Sequence, residues 1–420
     1  MPGMRHAAML EVNEFLVLDL VRDRGETTRP EIARELGLSA SSVSRIVGRL
    51  IHGGLIVESA GSTEVPGRPR ARIVFNHQAG CVIGVDLGGT KCQAALADLS
   101  GSILHEIRRP THGDDEPYPT LIRAIEDLQA EARRLGLPVL SVAVGVPAIL
   151  DSTSGMAVSG PNVQWQQFAI VPKLAADVHV PVIVENDVNL AALAHAWRGD
   201  GRRVGDFVTI SIGTGIGAAV VANGRLVKGR RNGAGEIGYL TLSAERLRFP
   251  LARGVGDFEE RASGPGIAQR ALELLASTDG ASLLRGSDVT PASVFEAAQA
   301  GDALATRVID ETLDDVALAL IAVCSLLDPE IIILDGSVGR SLRPYLDLLA
   351  GRISTRLWAM PRLTISSLGS DSTVIGAIAA ALQSVRRNAA PSSMFGVFDM
   401  GGRTEVTQGS ESAAAAAAIG

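Results

Sequence analysis

Apolar residues follow two different spacings along the chain, and the change from one to the other separates two regions. Near the start, apolar side chains recur every three or four positions, which is typical of helices that bury one face. This spacing predicts helices over residues 12–21, from Pro30 after a cap at Thr28 or Arg29, and over Ala40–His52. Further along, short apolar runs alternate with longer helical segments, as in an α/β fold. The pattern therefore predicts a small helical head followed by a larger α/β region.

The helical head has the order of a helix-turn-helix. Gly37-Leu38 turns the chain between the second and third helices, and Ser39 is placed to cap the third. The outward face of the third helix carries hydroxyl and guanidinium groups, which suit base edges and phosphates. These candidate DNA-binding residues are Ser41, Ser42, Ser44, Arg45 and Arg49. A plain three-helix bundle with a solvated polar face is the alternative.

A predicted β-hairpin follows the third helix. Residues 55–58 and 71–75 are typical of short strands, and the loop between them is rich in Gly, Pro and Arg. Such a loop is typical of a wing whose arginines, here Arg68 and Arg70, reach the DNA backbone or minor groove. Five arginines against two glutamates give residues 39–72 a local charge of +3, although the whole chain carries −7. The pattern favours a basic DNA-binding head on an acidic protein.

Two glycine-rich turns lie between strands of the α/β region. The first, Asp86-Leu87-Gly88-Gly89-Thr90-Lys91, joins two apolar runs, and the second, Gly213-Thr214-Gly215, follows a strand-like run. Glycines let the backbone approach a ligand, while Thr90 and Lys91 add a hydroxyl and a cation. Asp86 is placed to hold a metal ion or to orient water beside a phosphate. A plain Gly-Gly hairpin is the alternative for the first turn taken alone.

The segments after these turns argue against a dinucleotide fold. A nicotinamide-cofactor fingerprint requires a helix directly after the glycines, whereas a strand is predicted after both turns. Two phosphate hairpins far apart in one chain instead suggest two related lobes that hold a nucleotide between them. The sugar kinase, actin and Hsp70 superfamily is built in this way.

A cluster of polar side chains follows another predicted strand, residues 182–184. Glu185-Asn186-Asp187 comes at its end, where an α/β protein places a general base at the edge of a crevice. Asn162, on an upstream loop with Trp165, lies near enough in the chain to add a further polar group. We expect a binding site here; an exposed loop aspartate is the alternative for Asp187.

The composition fits a globular protein of two or three domains. Of its 420 residues, 46% are hydrophobic and 20% charged, and no apolar run approaches the length of a membrane span. Acidic residues near the start argue against a signal peptide, so we expect a cytoplasmic location and no membrane partner. The tail, residues 386–420, is rich in Ser, Gly and Ala, and we expect it to be disordered.

Cysteine usage argues against a disulfide framework. Cys81, Cys92 and Cys324 are widely spaced and form no C-x-x-C pair. They are therefore interpreted as reduced, buried small side chains, with neither a disulfide nor a zinc site.

The order of these motifs resembles the ROK family of repressors and sugar kinases. The resemblance runs from about Asn13 to Leu382 and includes a winged head, the glycine turns, a P-N-x-x-W loop, E-N-D, and the G-A-G-E-I-G of residues 233–238. It implies two ribonuclease-H-like lobes, of the actin and hexokinase type, around a sugar and ATP cleft. The expected divisions are 1–76 for the head, 81–200 and 201–385 for the lobes, with the last helix packing back on the first lobe.

The resemblance also implies roles for residues that match the family motifs. Asp187 matches the catalytic base, Asn186 and Glu236 match sugar ligands, and Glu259 matches a further sugar-binding glutamate. Asn162 and Tyr239 fall at the same sugar site. The phosphate-binding positions are Asp86, Gly88, Gly89, Thr90, Lys91, Gly213, Thr214 and Gly215.

Several positions depart from the family pattern. The family binds structural zinc through a histidine and a cysteine cluster; here the histidine position is Tyr239, and the cysteine positions are occupied by other residues, so zinc is not expected. Those positions are Pro250, Ala252 and Asp257. At the cleft, Ala148 replaces a glycine of the V-P-G motif, and Asp335 replaces a glycine on the adenosine side, where it would repel phosphate or face water.

Family members with a winged head are mostly sugar-responsive regulators. The resemblance therefore implies a repressor of carbohydrate metabolism that binds operator DNA as a homodimer or homotetramer and senses a sugar or sugar phosphate. The alternative is an active hexose or N-acetylhexosamine kinase that keeps a DNA-binding head and uses ATP with Mg²⁺. A third hypothesis is a DNA-binding protein that has lost the ability to bind a ligand in the cleft.

Overall fold

The computed structural model begins with a winged helix-turn-helix head. Three helices pack beside a small antiparallel sheet of order β1-β3-β2. Its elements are α1 (Pro2–Arg24), β1 (Glu26–Thr27), α2 (Arg29–Leu36), α3 (Ala40–His52), β2 (Ile56–Ser59) and β3 (Arg72–Phe75). The structure describes residues 2–59, 71–112, 116–151, 153–160, 163–248, 251 and 255–389. The wing arginines Arg68 and Arg70 and the loop residue Asn162 lie outside these ranges.

Local signals explain most of the helix ends in the head. Thr28 caps α2, and Glu31 completes the capping box by accepting the Thr28 backbone N–H at 2.9 Å. Gly37 ends α2 in the left-handed conformation, with φ of 64°. The first helix is longer than the predicted 12–21, because Ala, Met, Leu and Glu in residues 7–11 continue it.

The α/β region contains two five-stranded sheets with the same topology. In each, the first three strands form an antiparallel meander, and two later strands add in parallel beside the first. The first sheet has the order β11-β7-β4-β5-β6 and the second β14-β13-β12-β15-β16. This repeated topology confirms the expected pair of ribonuclease-H-like lobes after a winged head.

The strands and helices of the lobes follow in chain order. The first sheet contains β4 (Cys81–Leu87), β5 (Lys91–Asp98), β6 (Ile103–Pro110), β7 (Val139–Val146) and β11 (Val182–Asn186). The second contains β12 (Phe207–Ile212), β13 (Ile216–Ala222), β14 (Arg225–Val227), β15 (Ile331–Asp335) and β16 (Arg362–Ile365). The helices are α4 (Pro117–Arg134), α5 (Ile170–Val178), α6 (Asp187–Arg198), α7 (Asp257–Ala262), α8 (Gly264–Ser277), α9 (Pro291–Gln299), α10 (Ala303–Leu327), α11 (Gly336–Ser341), α12 (Leu346–Ser354) and α13 (Ser372–Ala389).

A small sheet projects from the first lobe and corrects one prediction. It contains β8 (Ile149–Leu150), β9 (Ala157–Gly160) and β10 (Trp165–Phe168) in the order β10-β9-β8. Trp165 was expected on a loop, but it begins β10, where its ring stacks on Phe168 with centroids 4.5 Å apart. The stacking of the buried Trp165 on the partly buried Phe168 supplies the packing that a loop would lack.

The last helix returns from the second lobe to the first. α13 packs against α6, β4 and β7. The approach is close, because a Cβ at Gly376 would lie 1.8 Å from the Leu190 carbonyl oxygen, so only glycine fits there. α13 continues to Ala389, so residues 386–389 are helical and not part of a disordered tail as predicted. Residues 390–420 lie outside the described ranges.

The head shares a core with the first lobe. Buried head residues, including Val17 and Val21, belong to one hydrophobic cluster with Val82 of β4 and Ile378 of α13. Arg386 of α13 also forms an ion pair with Asp19 of α1. The head therefore contacts the first lobe through this cluster and through the ion pair with α13. Among the described residues, no helix is long and apolar enough to span a membrane.

Candidate sugar and phosphate cleft

A cleft of about 420 Å³ is lined by residues of both lobes. The ends of β4, β12 and β15 meet there with the first turns of α6, α11 and α13. The cleft brings together these predicted residues: Asp86, Gly88, Gly89, Thr90, Lys91, Asn186, Asp187, Gly213, Thr214, Gly215, Glu236, Tyr239 and Glu259. Ala148 and Asp335 line it as well.

Asp187 is fixed by the start of α6. Asn186 ends β11 and caps the helix, with its side-chain oxygen accepting the N–H groups of Val188 at 3.0 Å and Asn189 at 3.2 Å. Asp187 is the first residue of α6, not the strand end that was predicted, because this cap starts the helix one residue after the strand. The carboxyl group consequently sits at the rim of the cleft in a fixed backbone geometry.

The carboxyl groups of Asp187 and Asp86 hold their protons unusually tightly. Burial raises the pKa of Asp187 to about 7, and the nearby charges of Asp86 and Glu236 add to the shift. Burial also raises the pKa of Asp86 to about 6, although Lys91 opposes it. Near neutral pH the Asp187 carboxyl exists in both forms, so it can accept or donate a hydrogen bond to a ligand hydroxyl.

Two glutamates lie on the second-lobe wall of the cleft. Burial and the neighbouring Glu259 raise the pKa of Glu236, and burial likewise raises the pKa of Glu259. Glu259 Oε2 accepts the backbone N–H of Ile216 at 2.6 Å. Tyr239 is 43% exposed, so its ring stands at the open side of the cleft.

The two glycine turns use some of their own N–H groups. Gly88 donates its N–H to the Lys91 carbonyl at 2.9 Å, and Gly213 donates to the Gly215 carbonyl at the same distance. These two N–H groups therefore close the turns instead of pointing at a ligand. The candidate phosphate donors are the N–H groups of the remaining turn residues and the ammonium of Lys91. That ammonium lies 3.2 Å from Gln93 Oε1 and 3.4 Å from the Ser370 carbonyl oxygen.

Asp335 is neutralised by its surroundings and does not face water. It is 2% exposed, and its Oδ1 accepts from Arg340 Nη1 at 3.1 Å and from the Gly336 N–H at 2.7 Å. Burial alone would raise the pKa of Asp335, but the neighbouring His195 and Ser372 and the Gly336 N–H outweigh burial and lower it. The charged Asp335 carboxylate therefore forms an ion pair with Arg340, the guanidinium nearest to it in the cleft.

Sequence patterns missed the fully buried His195. Its Nε2 lies 3.7 Å from Asp335 Oδ2 and its Nδ1 lies 3.5 Å from Asp200 Oδ2. These distances are longer than hydrogen bonds, so the ring faces a carboxylate on each side without a short contact. No local signal pointed to it, because the contact with Asp335 joins residues that are far apart in the chain.

The candidate DNA-binding residues of α3 differ in their partners. Ser41, Ser44 and Arg45 are exposed, whereas Ser42 donates its N–H to Ser39 Oγ at 3.2 Å in the helix cap. Arg49 Nη2 lies 3.0 Å from Glu14 Oε2 of α1. Arg45 is therefore the better candidate for a base contact, and Arg49 also ties α3 to α1.

An ion pair lies at one of the expected zinc-ligand positions. Asp257 is buried and accepts from Arg246 Nε at 2.5 Å and from the Leu242 N–H at 2.9 Å. Pro250 and Ala252 lie outside the described residues. Within the described ranges, no group of three or more His, Cys, Asp or Glu side chains is arranged to hold a metal ion.

Comparison with known proteins identifies the family. The ROK family model matches residues 82–384, and a MarR family model matches residues 10–63. The chain belongs to the ROK family and carries a MarR-type winged head, as the motifs implied.

Three similar proteins represent the two branches of that family. The xylose repressor of Caldicellulosiruptor bescii is 24% identical over 89% of this chain and 96% of its own. The glucokinase of Halalkalibacterium halodurans is 30% identical over 70% of this chain and 92% of its own. A crystal structure of a ROK family transcriptional regulator, a homologue of the E. coli MLC protein, superposes with a TM-score of 0.74 at 24% identity, covering 91% of this chain and 98% of that one.

Proposed function

We propose that the protein is a sugar-responsive transcriptional regulator that acts as a repressor of carbohydrate metabolism. A sugar or sugar phosphate binds in the cleft, and its binding changes the affinity of the winged head for operator DNA. The observation that carries the proposal is the path of α13. Its first residues line the cleft, and Arg386 near its other end forms an ion pair with Asp19 of the DNA-binding head.

The coupling uses one rigid element. Thr373, near the start of α13, donates its hydroxyl to the Asp187 carbonyl at 3.4 Å. Arg386, near the other end, pairs with Asp19 of α1. An 18-residue helix spans about 27 Å at 1.5 Å per residue, so a small shift at the cleft reaches the head without a flexible linker. Ligand that favours one lobe arrangement would thereby bias the orientation of α3.

The sugar end of the cleft carries hydroxyl-binding groups. Asn186, Asp187, Glu236 and Glu259 offer amide and carboxyl groups, and Asn162 would complete the set. The pKa of Asp187, about 7, lets this carboxyl group act as a donor or an acceptor near neutral pH. Each hydroxyl of a sugar can likewise donate and accept a hydrogen bond, so it can pair with these groups. Tyr239 supplies a ring at the open side. A sugar phosphate would in addition reach Lys91 and the glycine turns.

The adenosine side favours sensing over phosphoryl transfer. The buried Asp335 forms an ion pair with Arg340. This pairing reduces the positive charge that the second lobe offers to nucleotide phosphates. The relatives that match most of this chain include the xylose repressor, which supports regulation. The head would act as part of a homodimer or homotetramer, because operators are usually read by paired heads.

An ATP-dependent sugar kinase with a DNA-binding head is the second candidate. It is favoured by Asp187 at the rim of the cleft and by both glycine turns, and the glucokinase relative belongs to this class. ATP with Mg²⁺ would then be bound by the phosphate turns and Asp86. In this reaction Asp187 would take the proton of the sugar hydroxyl that attacks the phosphate.

Two assays on the full chain separate these functions. A thermal-shift panel of hexoses, pentoses, N-acetylhexosamines and their phosphates should show stabilisation by at least one ligand without nucleotide. A coupled ATP assay on the same panel should show no sugar-dependent turnover. Turnover that vanishes in Asp187→Asn would establish the kinase instead, and no shift with any sugar would leave only a DNA-binding role.

A further inference from the structure

A second cavity, of about 480 Å³, lies where the winged head meets the first lobe. Phe15 and Leu18 of α1 line it from the head, Leu382 and Val385 of α13 line it from the side of the lobe, and Trp197 of α6 lines it as well. Among the described residues, it shares no lining residue with the sugar and phosphate cleft. Most of its lining side chains are apolar, and its volume lies within the range of about 300–1,000 Å³ that ligand sites use. We call this second candidate binding site the head–lobe cavity.

The charges at the head–lobe cavity already balance one another. Arg22 Nη2 lies 2.8 Å from Asp19 Oδ1 and 3.1 Å from Asp23 Oδ1, and Arg386 pairs with the same two aspartates. An anionic or cationic ligand would therefore have to compete with an existing partner. The cavity favours an occupant whose side chains are largely apolar.

The sequence after α13 contains such a segment. α13 ends at Ala389, and residues 394–400 read M-F-G-V-F-D-M. These positions hold two of the chain's nine phenylalanines and two of its seven methionines, and Val397 is a further apolar residue. The Ser, Gly and Ala content that predicts disorder in the tail is represented here by Gly396 alone. Closely spaced apolar anchors of this kind are what peptide segments use to bind apolar grooves.

This segment begins a short distance along the chain from the cavity. Arg386 lines the cavity and precedes Ala389 by three residues, which is about 4.5 Å of helix. The five residues that follow Ala389 reach at most about 17 Å when extended. Pro391 disfavours helical backbone at the residue before it, which fits the end of α13 at Ala389. So short a linker keeps the segment at a millimolar local concentration, and weak binding is then enough to fill the cavity.

We propose that residues 394–400 dock in the head–lobe cavity of their own chain. Phe395 and Phe398 are the anchors that pack against its apolar lining, and Asp399, the only charged residue of the segment, stays at the rim. The docked segment contacts α1 and α13 together, so it holds the head against the first lobe. The inference goes beyond the proposed function and does not depend on a ligand in the cleft.

The first test locates the segment by photo-cross-linking in the full chain. Phe398→p-benzoylphenylalanine keeps an aromatic side chain and, on irradiation, bonds to the residues that it touches. Mass spectrometry should find cross-links within one chain, on the peptides of α1 or α13 that contain Leu18 or Leu382. Val406→p-benzoylphenylalanine, at an apolar tail position outside the segment, is the matched control and should give less than a fifth of that yield. Cross-links between two chains, or only on other peptides, would overturn the proposal.

A peptide competition tests the same site without altering any residue that lines it. Phe395→Ser with Phe398→Ser in the full chain should release the segment and leave the cavity open. A fluorescent peptide of residues 391–401 should bind this double variant at least tenfold more tightly than wild type, whose own segment occupies the site. A peptide with the same two serines should bind neither protein. Equal binding to both proteins, or no binding to the double variant because a small molecule fills the cavity, would contradict the docking.

The sugar response separates this proposal from the proposed function. The double variant should keep any sugar-induced thermal shift, because the cleft and the head–lobe cavity have different lining residues. A wild type that cross-links at the cavity but responds to no sugar would retain the docked segment and remove the sensor. A chain that responds to sugar but gives no cross-link at the cavity would do the reverse.

Discussion

Lys228 Nζ lies 2.6 Å from Glu185 Oε2, and this ion pair joins the second lobe to the strand that ends at Asn186. Both side chains are mostly buried, at 18% and 15% exposure. The other oxygen of Glu185 accepts from the Asn186 N–H at 3.0 Å and from Asn189 Nδ2 at 3.0 Å. The pair therefore ties the two lobes together directly behind the proposed sugar ligands.

Breaking this pair should loosen the cleft. Lys228→Met would leave the Glu185 carboxylate buried without its cation, which costs about 3–5 kcal/mol when one partner of a buried pair is removed. The melting temperature should fall, and most of the loss should return when Glu185→Gln is added. Lys173→Met, at an exposed lysine on α5, is the control and should have little effect. Losses that simply add in the double variant would show that the two residues act independently.

Asp187 should make stability depend on pH. Its pKa is raised from the ordinary aspartate range to about 7, so the folded protein binds the proton more tightly than the unfolded chain does. The free energy of unfolding should then fall as pH rises from about 4 to 7, by on the order of 3 kcal/mol.

Asp187→Asn removes that ionisation and isolates its effect. The variant should gain stability over wild type at pH 8 and lose the advantage at pH 4. Chemical unfolding at the two pH values measures the difference, with Asp279→Asn, at an exposed loop position, as control. The same advantage at both pH values would mean that the carboxyl group is not buried as described.

Arg45 should carry more DNA affinity than Arg49. Arg45 is exposed on α3, whereas Arg49 is partly engaged by Glu14. Because a specific arginine–base contact contributes about 1–3 kcal/mol, Arg45→Ala should weaken binding roughly 10-fold or more. Fluorescence anisotropy with a DNA fragment selected by the protein from a random library measures this. Arg34→Ala, on the exposed face of α2, is the control; equal affinity for Arg45→Ala and wild type would remove α3 as the reader.

The protein should contain no structural zinc. At Asp257 the Arg246 guanidinium and the Leu242 N–H satisfy the carboxylate that stands at a metal-ligand position of the family. Elemental analysis should find well under one zinc per chain, and a chelator should leave the melting temperature unchanged. One zinc per chain, lost with a fall in melting temperature, would show that other ligands bind the metal.

Local patterns predicted the regular elements well where the signals were short-ranged. α3 was expected with the bounds that the structure has, because a serine cap and a strict helical period define it. β6 and β16 were missed. β6 is mostly polar and exposed, and β16 is only four residues long, so neither shows a clear strand period.

The contacts within the site were harder to predict from the sequence than the fold was. Motifs brought the glycine turns, Asn186 and Asp187 to one cleft, because each motif sits at the end of a strand. His195 and Lys228 contact partners far away in the chain, and such pairs leave no local signal. Asp335 shows the same limit, since its burial and its contact with Arg340 depend on how the second lobe folds.

The central claim is that a sugar in the cleft changes DNA binding, and one titration tests it directly. Anisotropy with the selected DNA fragment would be measured while each sugar or sugar phosphate of the panel is added to wild type and to Glu236→Ala. At least one ligand should change the DNA dissociation constant fivefold or more in wild type. The same ligand should act only at much higher concentration in Glu236→Ala, which leaves sugar hydroxyls unpaired. DNA affinity that no sugar alters, together with sugar-dependent ATP turnover, would contradict the claim.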